Sequence, residues 1–205
     1  MNLVIGSGDT TALLSGNGTQ GFAKLIQKFV ANNKPYYNSF ASPINALRSG
    51  AILESAYSLT LDDDYFSQYK VSSKEYDCLT SSIDFAKINK SKIVDFDELK
   101  TIFFTDFIDI IKPISYLSND EQIKVLKKKF KSNYNQVQFQ LLCSGLDSAN
   151  LVFMSVESYD DDDNHKRILN DNDFVKFRIE RDNNVIDKII YKAKYFQDIK
   201  NFINK

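Results

Sequence analysis

Three side chains near the middle of the chain have the types and the spacing for phosphodiester chemistry: Asp84, Glu98 and Lys100. They fall within Ser81–Thr101, SSIDFAKINKSKIVDFDELKT, which reads as two extended segments joined by the polar turn Asn89-Lys90-Ser91. Successive side chains of a strand point to opposite faces. Asp84 therefore shares a face with Ala86 and Ile88, and Glu98 and Lys100 share one with Val94, Phe96 and Ile102, whereas Asp95, Asp97 and Thr101 take the opposite face. Three charges thus stand on faces that otherwise read as buried. An unpaired buried charge is costly, so these must be paired with one another, with a metal, or with both.

An acid on one strand and Glu-x-Lys on its neighbour form a compact site for a divalent cation. Mg2+ takes one or two carboxylates from a protein and keeps several waters, and Mn2+ accepts the same oxygens. Lys100, two residues from Glu98 on the same face, can hold or deprotonate the water that attacks a phosphodiester. A salt-bridged hairpin would satisfy the same charges without catalysis, and the hairpin alone does not decide between the two.

The flanking elements must bring further groups to this hairpin. Ser42-Pro43 is a helix start, serine as N-cap and proline at the first helical position. The helix that follows places Ile44, Leu47, Ala51 and Glu54 on one face, with Gly50 one turn before the acid leaving room for close approach. Taken alone, Glu54 reads as the boundary residue of an apolar stripe. Residues 66–78 alternate weakly, as a strand ahead of the hairpin would. The run IFFTDFIDII over 102–111 fits a short helix or a strand equally well. A single long helix is expected over Asn119–Leu142, with Ile123, Leu126, Phe130, Tyr134, Val137 and Leu141 at helical spacing and Gly145 as its C-cap. Lys124, Lys127, Lys128, Lys129 and Lys131 line it, and Gln136, Gln138 and Gln140 sit in its apolar C-terminal half. Leu151–Val156 and Phe174–Ile179 read as strands, and an amphipathic helix carrying Ile186, Ile189, Ala193, Phe196 and Ile203 follows.

Composition bounds the partners. With 205 residues, a formal charge of -1, 43% hydrophobic and 26% charged residues, the chain reads as one ordinary globular domain with no global attraction for nucleic acid. Any DNA contact must come from a local patch. Cys78 and Cys143 are far apart and neither has metal-type spacing with His165, so reduced thiols are expected. No export signal and no membrane span are evident, which points to the cytoplasm. Gly16-Asn17-Gly18-Thr19-Gln20-Gly21 matches G-x-G-x-x-G, but the first acid after it is Glu54, too distant for a dinucleotide site. A turn with Thr19 capping the next helix is the better reading, and such a helix start can also accept a phosphate. Asp62–Asp64 and the aspartates of 160–163 lack a Ca2+-loop pattern and read as solvated turns, with His165 exposed and idle.

In order, Gly50-x-x-x-Glu54, Asp84, Glu98-x-Lys100 and Tyr134-Asn135-Gln136-Val137-Gln138 resemble the PD-(D/E)xK nuclease superfamily, and within it the lambda exonuclease and YqaJ viral recombinase family, over roughly residues 42–156. One departure is Ile83, where the motif has proline before the acid. The resemblance implies an α/β fold, a restriction-endonuclease-like core with a central mixed β-sheet flanked by helices. It would occupy residues 1–205 as one domain, the core about 42–157, with the C-terminal strand and helix over 173–204. By the same resemblance Asp84, Glu98 and the Leu99 carbonyl would bind Mg2+ or Mn2+, Glu54 would make a second or water-mediated metal contact, Lys100 would orient the water, and Gln136 would help place water or phosphate. Ser15 and Arg48 are candidates for contacts with a DNA end. The implied activity is 5′ to 3′ digestion of linear double-stranded DNA to leave 3′ single strands, by a ring-shaped oligomer working with a single-strand annealing protein in the host cytoplasm. A related endonuclease, a single-strand exonuclease and a catalytically silent DNA-binding module are the alternatives.

Overall fold

The computed structural model describes residues 3–31, 44–157 and 167–205, with side chains from residue 50 onward in the second segment. The expected helix start at Ser42-Pro43, the acidic run 160–163 and His165 lie outside the described residues.

Five strands form one mixed sheet in sequence order: β1 (Tyr65–Ser72), β2 (Thr80–Asn89), β3 (Lys92–Phe103), β4 (Ser148–Val156) and β5 (Phe174–Glu180). All neighbours are antiparallel except β3 and β4, which run parallel and need the long crossover of 104–147 between them. Lys90 and Ser91, at φ 48° and 63°, make the tight turn of the β2–β3 hairpin and close it on the Asn89–Lys92 pair. Two consecutive residues of positive φ match the strand twist of a two-residue hairpin.

The hairpin does not pair along its whole length. The β2–β3 ladder runs from Phe85 opposite Asp97 to the turn, whereas from Asp97 onward β3 pairs with β4. The two strands therefore part at Asp84 and Glu98, and the opening between them is where chemistry can be placed.

Five main helices flank the sheet: α1 (Gln20–Val30), α2 (Ile44–Ser58), α3 (Asn119–Lys129), α4 (Lys131–Ser144) and α5 (Asn183–Ile203). On one face Tyr134, Val137 and Leu141 of α4 pack on Ala86, Phe96, Leu151 and Phe153. On the other, Leu53 and Tyr57 of α2 pack on Phe85, Leu99, Val152 and Met154. A third cluster ties Leu3, Ile5, Leu13 and α1 to Phe139 of α4 and Phe196 of α5. Each such fully buried apolar side chain contributes roughly 1.5–3 kcal/mol, so α4, shared by two clusters, is firmly seated. The structure is thus α/β with a helix-flanked mixed sheet, as expected. Among the described residues no helix is long and apolar enough to cross a membrane.

Four local expectations change. The helix expected over 119–142 is broken at Phe130, whose φ of −120° and ψ of 39° are not helical, and whose ring packs on Phe153 at 4.8 Å between centroids. The 102–111 run divides: Ile102 and Phe103 finish β3, and the chain then coils through 104–115 with a π-helical turn at Phe107–Ile111. There the Lys112 N–H reaches back to the Phe107 carbonyl, and Pro113 beyond it has no N–H to offer Asp109. Val94 is 45% exposed, not buried, because the β2–β3 register shifts by one residue at Lys87/Ile88; beyond that bulge Ile93, not Val94, packs inward. A Cβ on Gly50 would meet nothing within 4 Å among the described residues, so no close approach is found there.

Candidate active site

At the opening of the hairpin the Leu99 N–H donates to Asp84 Oδ2 at 2.9 Å. A buried amide needs an acceptor, and here the carboxylate provides one where the β2–β3 ladder has stopped. Beside it Glu98 is 1% exposed. Its Oε1 accepts from Lys100 Nζ and from Gln136 Nε2, each at 2.6 Å, and its Oε2 accepts from Gln140 Nε2 at 2.6 Å. The two glutamines are four residues apart on α4, hence on one helix face. Gln138 lies between them and turns away: its amide donates to the Glu180 carbonyl at 2.8 Å and accepts from the Asp182 N–H at 2.7 Å.

From α2, on the other face of the sheet, Glu54 Oε2 accepts from Gln68 Nε2 at 3.1 Å, and the same nitrogen lies 3.5 Å from Asp84 Oδ1. The site is therefore assembled from both faces. Among the described residues it contains Glu54, Asp84 and Glu98 against one cation, Lys100, a shortage of positive charge. Burial first, then the Glu98 charge, pushes the Asp84 carboxyl up to about 8, with Lys100 and the Leu99 N–H opposing. Glu54 is also raised, chiefly by burial, while its bond from Gln68 works the other way.

A divalent cation fits that imbalance and the all-oxygen donor set of Asp84, Glu98 and backbone carbonyl. Among the described residues no three acids, cysteines or histidines are grouped tightly enough to hold an ion unaided, but Mg2+ takes only one or two carboxylates from a protein. One further acceptor points the same way: Gln140 Oε1 is buried and has no hydrogen-bond partner, whereas a buried polar atom is ordinarily satisfied.

Of the residues expected from the sequence, Glu54, Asp84, Glu98, Lys100 and Gln136 converge here, with Leu99 contributing its N–H to Asp84. Ser15 instead bonds locally, to the Ala12 carbonyl and the Thr19 hydroxyl, and the Thr19 side chain caps α1 by accepting from Phe22 N–H. The Arg48 side chain lies outside the described residues. Gln140 and Gln68 were not foreseen. Helical spacing from Gln136 would have found Gln140; nothing in the local sequence marks Gln68.

Asp97 is a second buried acid, 0% exposed, on the α2 face. It accepts from Tyr57 Oη at 2.6 Å, Asn150 Nδ2 at 2.7 Å and Lys176 Nζ at 3.0 Å. Burial and the neighbouring Asp97 charge hold the Tyr57 hydroxyl protonated far above its usual range. These three donors tie Asp97 to α2, β4 and β5 on the face away from Glu98, so it reads as an anchor of the sheet.

No protein-family model and no curated protein matches this sequence. Solved structures do. An alkaline exonuclease (LHK-Exo) from Laribacter hongkongensis superposes with a TM-score of 0.60 at 14% identity, over 99% of this chain and 93% of that one. A phage-related exonuclease from Haemophilus somnus 129PT gives a TM-score of 0.60 at 17% identity, over 99% and 97%. LHK-Exo in complex with dAMP gives 0.60 at 17% identity, over 95% and 86%. At these identities the likeness is one of fold.

Proposed function

We propose that the chain is a metal-dependent, phage-type exonuclease of the PD-(D/E)xK superfamily that digests linear double-stranded DNA from the 5′ end. The observation that carries this reading is the convergence, where β2 and β3 part, of Asp84, Glu98 and Lys100 with Gln136. The fold shared with two exonucleases supports the reaction class, and the dAMP bound to one of them supports a deoxynucleotide product.

Asp84, Glu98 and the Leu99 carbonyl would hold Mg2+ or Mn2+, with Glu54 in contact through water. An ion held there would supply Lewis-acid stabilisation of the phosphoryl charge and would activate water at neutral pH. Lys100, its side chain 25% exposed beside nearly inaccessible Glu98, can leave the carboxylate and hold the attacking water. Gln136, only partly buried at the same carboxylate, is placed to orient water or phosphate. The formal charge of -1 gives weak electrostatic hold on DNA. A ring-shaped oligomer would retain the duplex by topology instead and pass its 3′ single strand to an annealing protein in the host cytoplasm.

The test is linear duplex DNA labelled separately at each 5′ and 3′ end, incubated with Mg2+ and with EDTA beside the Asp84→Asn variant. Mg2+-dependent release of the 5′ label, absent from the variant, is expected. Internal cuts in closed circles would make it an endonuclease, and binding without cleavage a silent module.

A further inference from the structure

Gln68 stands out for its backbone. It sits in the middle of β1 at φ 51°, a conformation that a residue with a Cβ adopts at a cost. The ladder keeps register on both sides of it, Ser67 with Phe85 and Tyr69 with Ile83, so Gln68 lies across from Asp84 while leaving the regular pairing. The residue is exposed, so core packing does not account for the distortion. Its side-chain bonds do suggest a reason. Ser82 Oγ donates to Gln68 Oε1 at 2.9 Å, which fixes which end of the amide faces the acids. The Nε2 end then lies 3.1 Å from Glu54 Oε2 and 3.5 Å from Asp84 Oδ1. These acids come from α2 and β2, a helix over the sheet and a strand within it, and the amide donates to both.

Resting on the metal-dependent reading above, we propose that Gln68 is a positioning residue: its left-handed backbone and the Ser82 hydroxyl aim its amide so that Glu54 and Asp84 are held in register for the cation. Carboxylates that bind a metal are themselves oriented by hydrogen bonds from outside, and losing such a partner lowers metal affinity about 10–100-fold. Gln68 and Ser82 form that outer support on the β1 side, as Gln136 and Gln140 do for Glu98 on the α4 side.

The test is calorimetric titration of Mn2+ into the metal-free full-length chain, with melting curves alongside. Gln68→Gly removes the amide and suits a positive φ. Gln68→Asn also tolerates that backbone but is one methylene too short to reach the acids. Both should raise the Kd for Mn2+ by about 10–100-fold without lowering the metal-free Tm, and Ser82→Ala should weaken binding in the same direction. Mn2+ affinity equal to wild type in Gln68→Gly, whatever its Tm, overturns the proposal. Asp84→Asn separates the two levels of the argument. If it loses Mn2+ while Gln68→Gly keeps it, only the role of Gln68 is refuted; if Asp84→Asn itself binds Mn2+ normally, the metal site is refuted with it.

Discussion

Replacing Asp84 by asparagine should make the metal-free protein more stable while destroying its response to metal. In the wild type the half-buried Asp84 carboxyl lies beside Glu98 and Glu54, with Lys100 as the one nearby cation among the described residues, and its pKa rises from the usual 3.8 to about 8. The folded form therefore binds this proton more tightly than the unfolded chain. Stability from the group is fully present below its unfolded value and is lost as pH rises toward about 8. Within that window the loss is about 1.4 kcal/mol per pH unit, hence on the order of 3 kcal/mol between roughly pH 5.5 and 7.5, or about 6–12 °C in Tm for a chain of this length. Asparagine has nearly the same volume, can still accept the Leu99 N–H through its carbonyl oxygen, and has no proton to lose. Melting of both proteins in EDTA and in Mg2+ at the two pH values reads the effect. In EDTA the wild-type Tm should fall with pH and the Asp84→Asn protein should lose that part of the fall, so that the variant is the more stable at the higher pH. Mg2+ should raise the wild-type Tm, more so at high pH, and leave the variant unmoved. Equal pH slopes for both proteins in EDTA would refute the picture of Asp84 as a half-buried acid awaiting a cation.

Three further outcomes are expected. Lys100→Met should slow single-turnover cleavage on the order of 10² to 10⁴ with metal binding intact, and Lys100→Arg should not restore it, since a planar guanidinium does not replace a compact ammonium; normal cleavage by either would make Lys100 a mere counter-ion. Glu54→Gln, Gln136→Leu and Gln140→Leu should lower turnover more than Tm, whereas Gln138→Leu, which strands the Glu180 carbonyl and the Asp182 N–H, should lower Tm by an amount equivalent to about 1–3 kcal/mol with turnover per folded molecule unchanged. Lys176→Met should destabilise by about 1.5–3 kcal/mol by removing the charged donor to buried Asp97 and leaving, among the described residues, its neutral partners Tyr57 and Asn150, and end-labelled DNA should still be degraded at the normal rate by the folded fraction.

Strand parity carried the candidate site far. Glu98 and Lys100 do share a face, and Asp84 does stand beside them, because two-residue alternation survives from Phe85 to the opening. It failed nearer the turn, where one bulged residue reverses parity and exposes Val94. It also left Asp97 undervalued: alternation says that a residue faces away, but not that the far face is roofed by Tyr57 of α2. Gly145 at φ 74° ends α4 as its type predicts. The break at Phe130 has no proline or glycine to announce it and is set by packing on Phe153, a contact between distant residues. Gln68 is the extreme case, since its importance lies in a backbone angle and in a register partner on another strand.

The break at Phe130 also bears on how the chain tolerates insertions. In an uninterrupted helix each added residue turns everything downstream by about 100°, and a single insertion near Asn119 would swing Gln136 and Gln140 off Glu98. With the helix interrupted, the rotational phase of α4 is set afresh at Lys131, and the lysine-rich α3 becomes a segment whose length can drift without re-aiming the glutamines. Homologous chains should therefore vary in length before Phe130 and hold the spacing from Phe130 to Gln140 fixed.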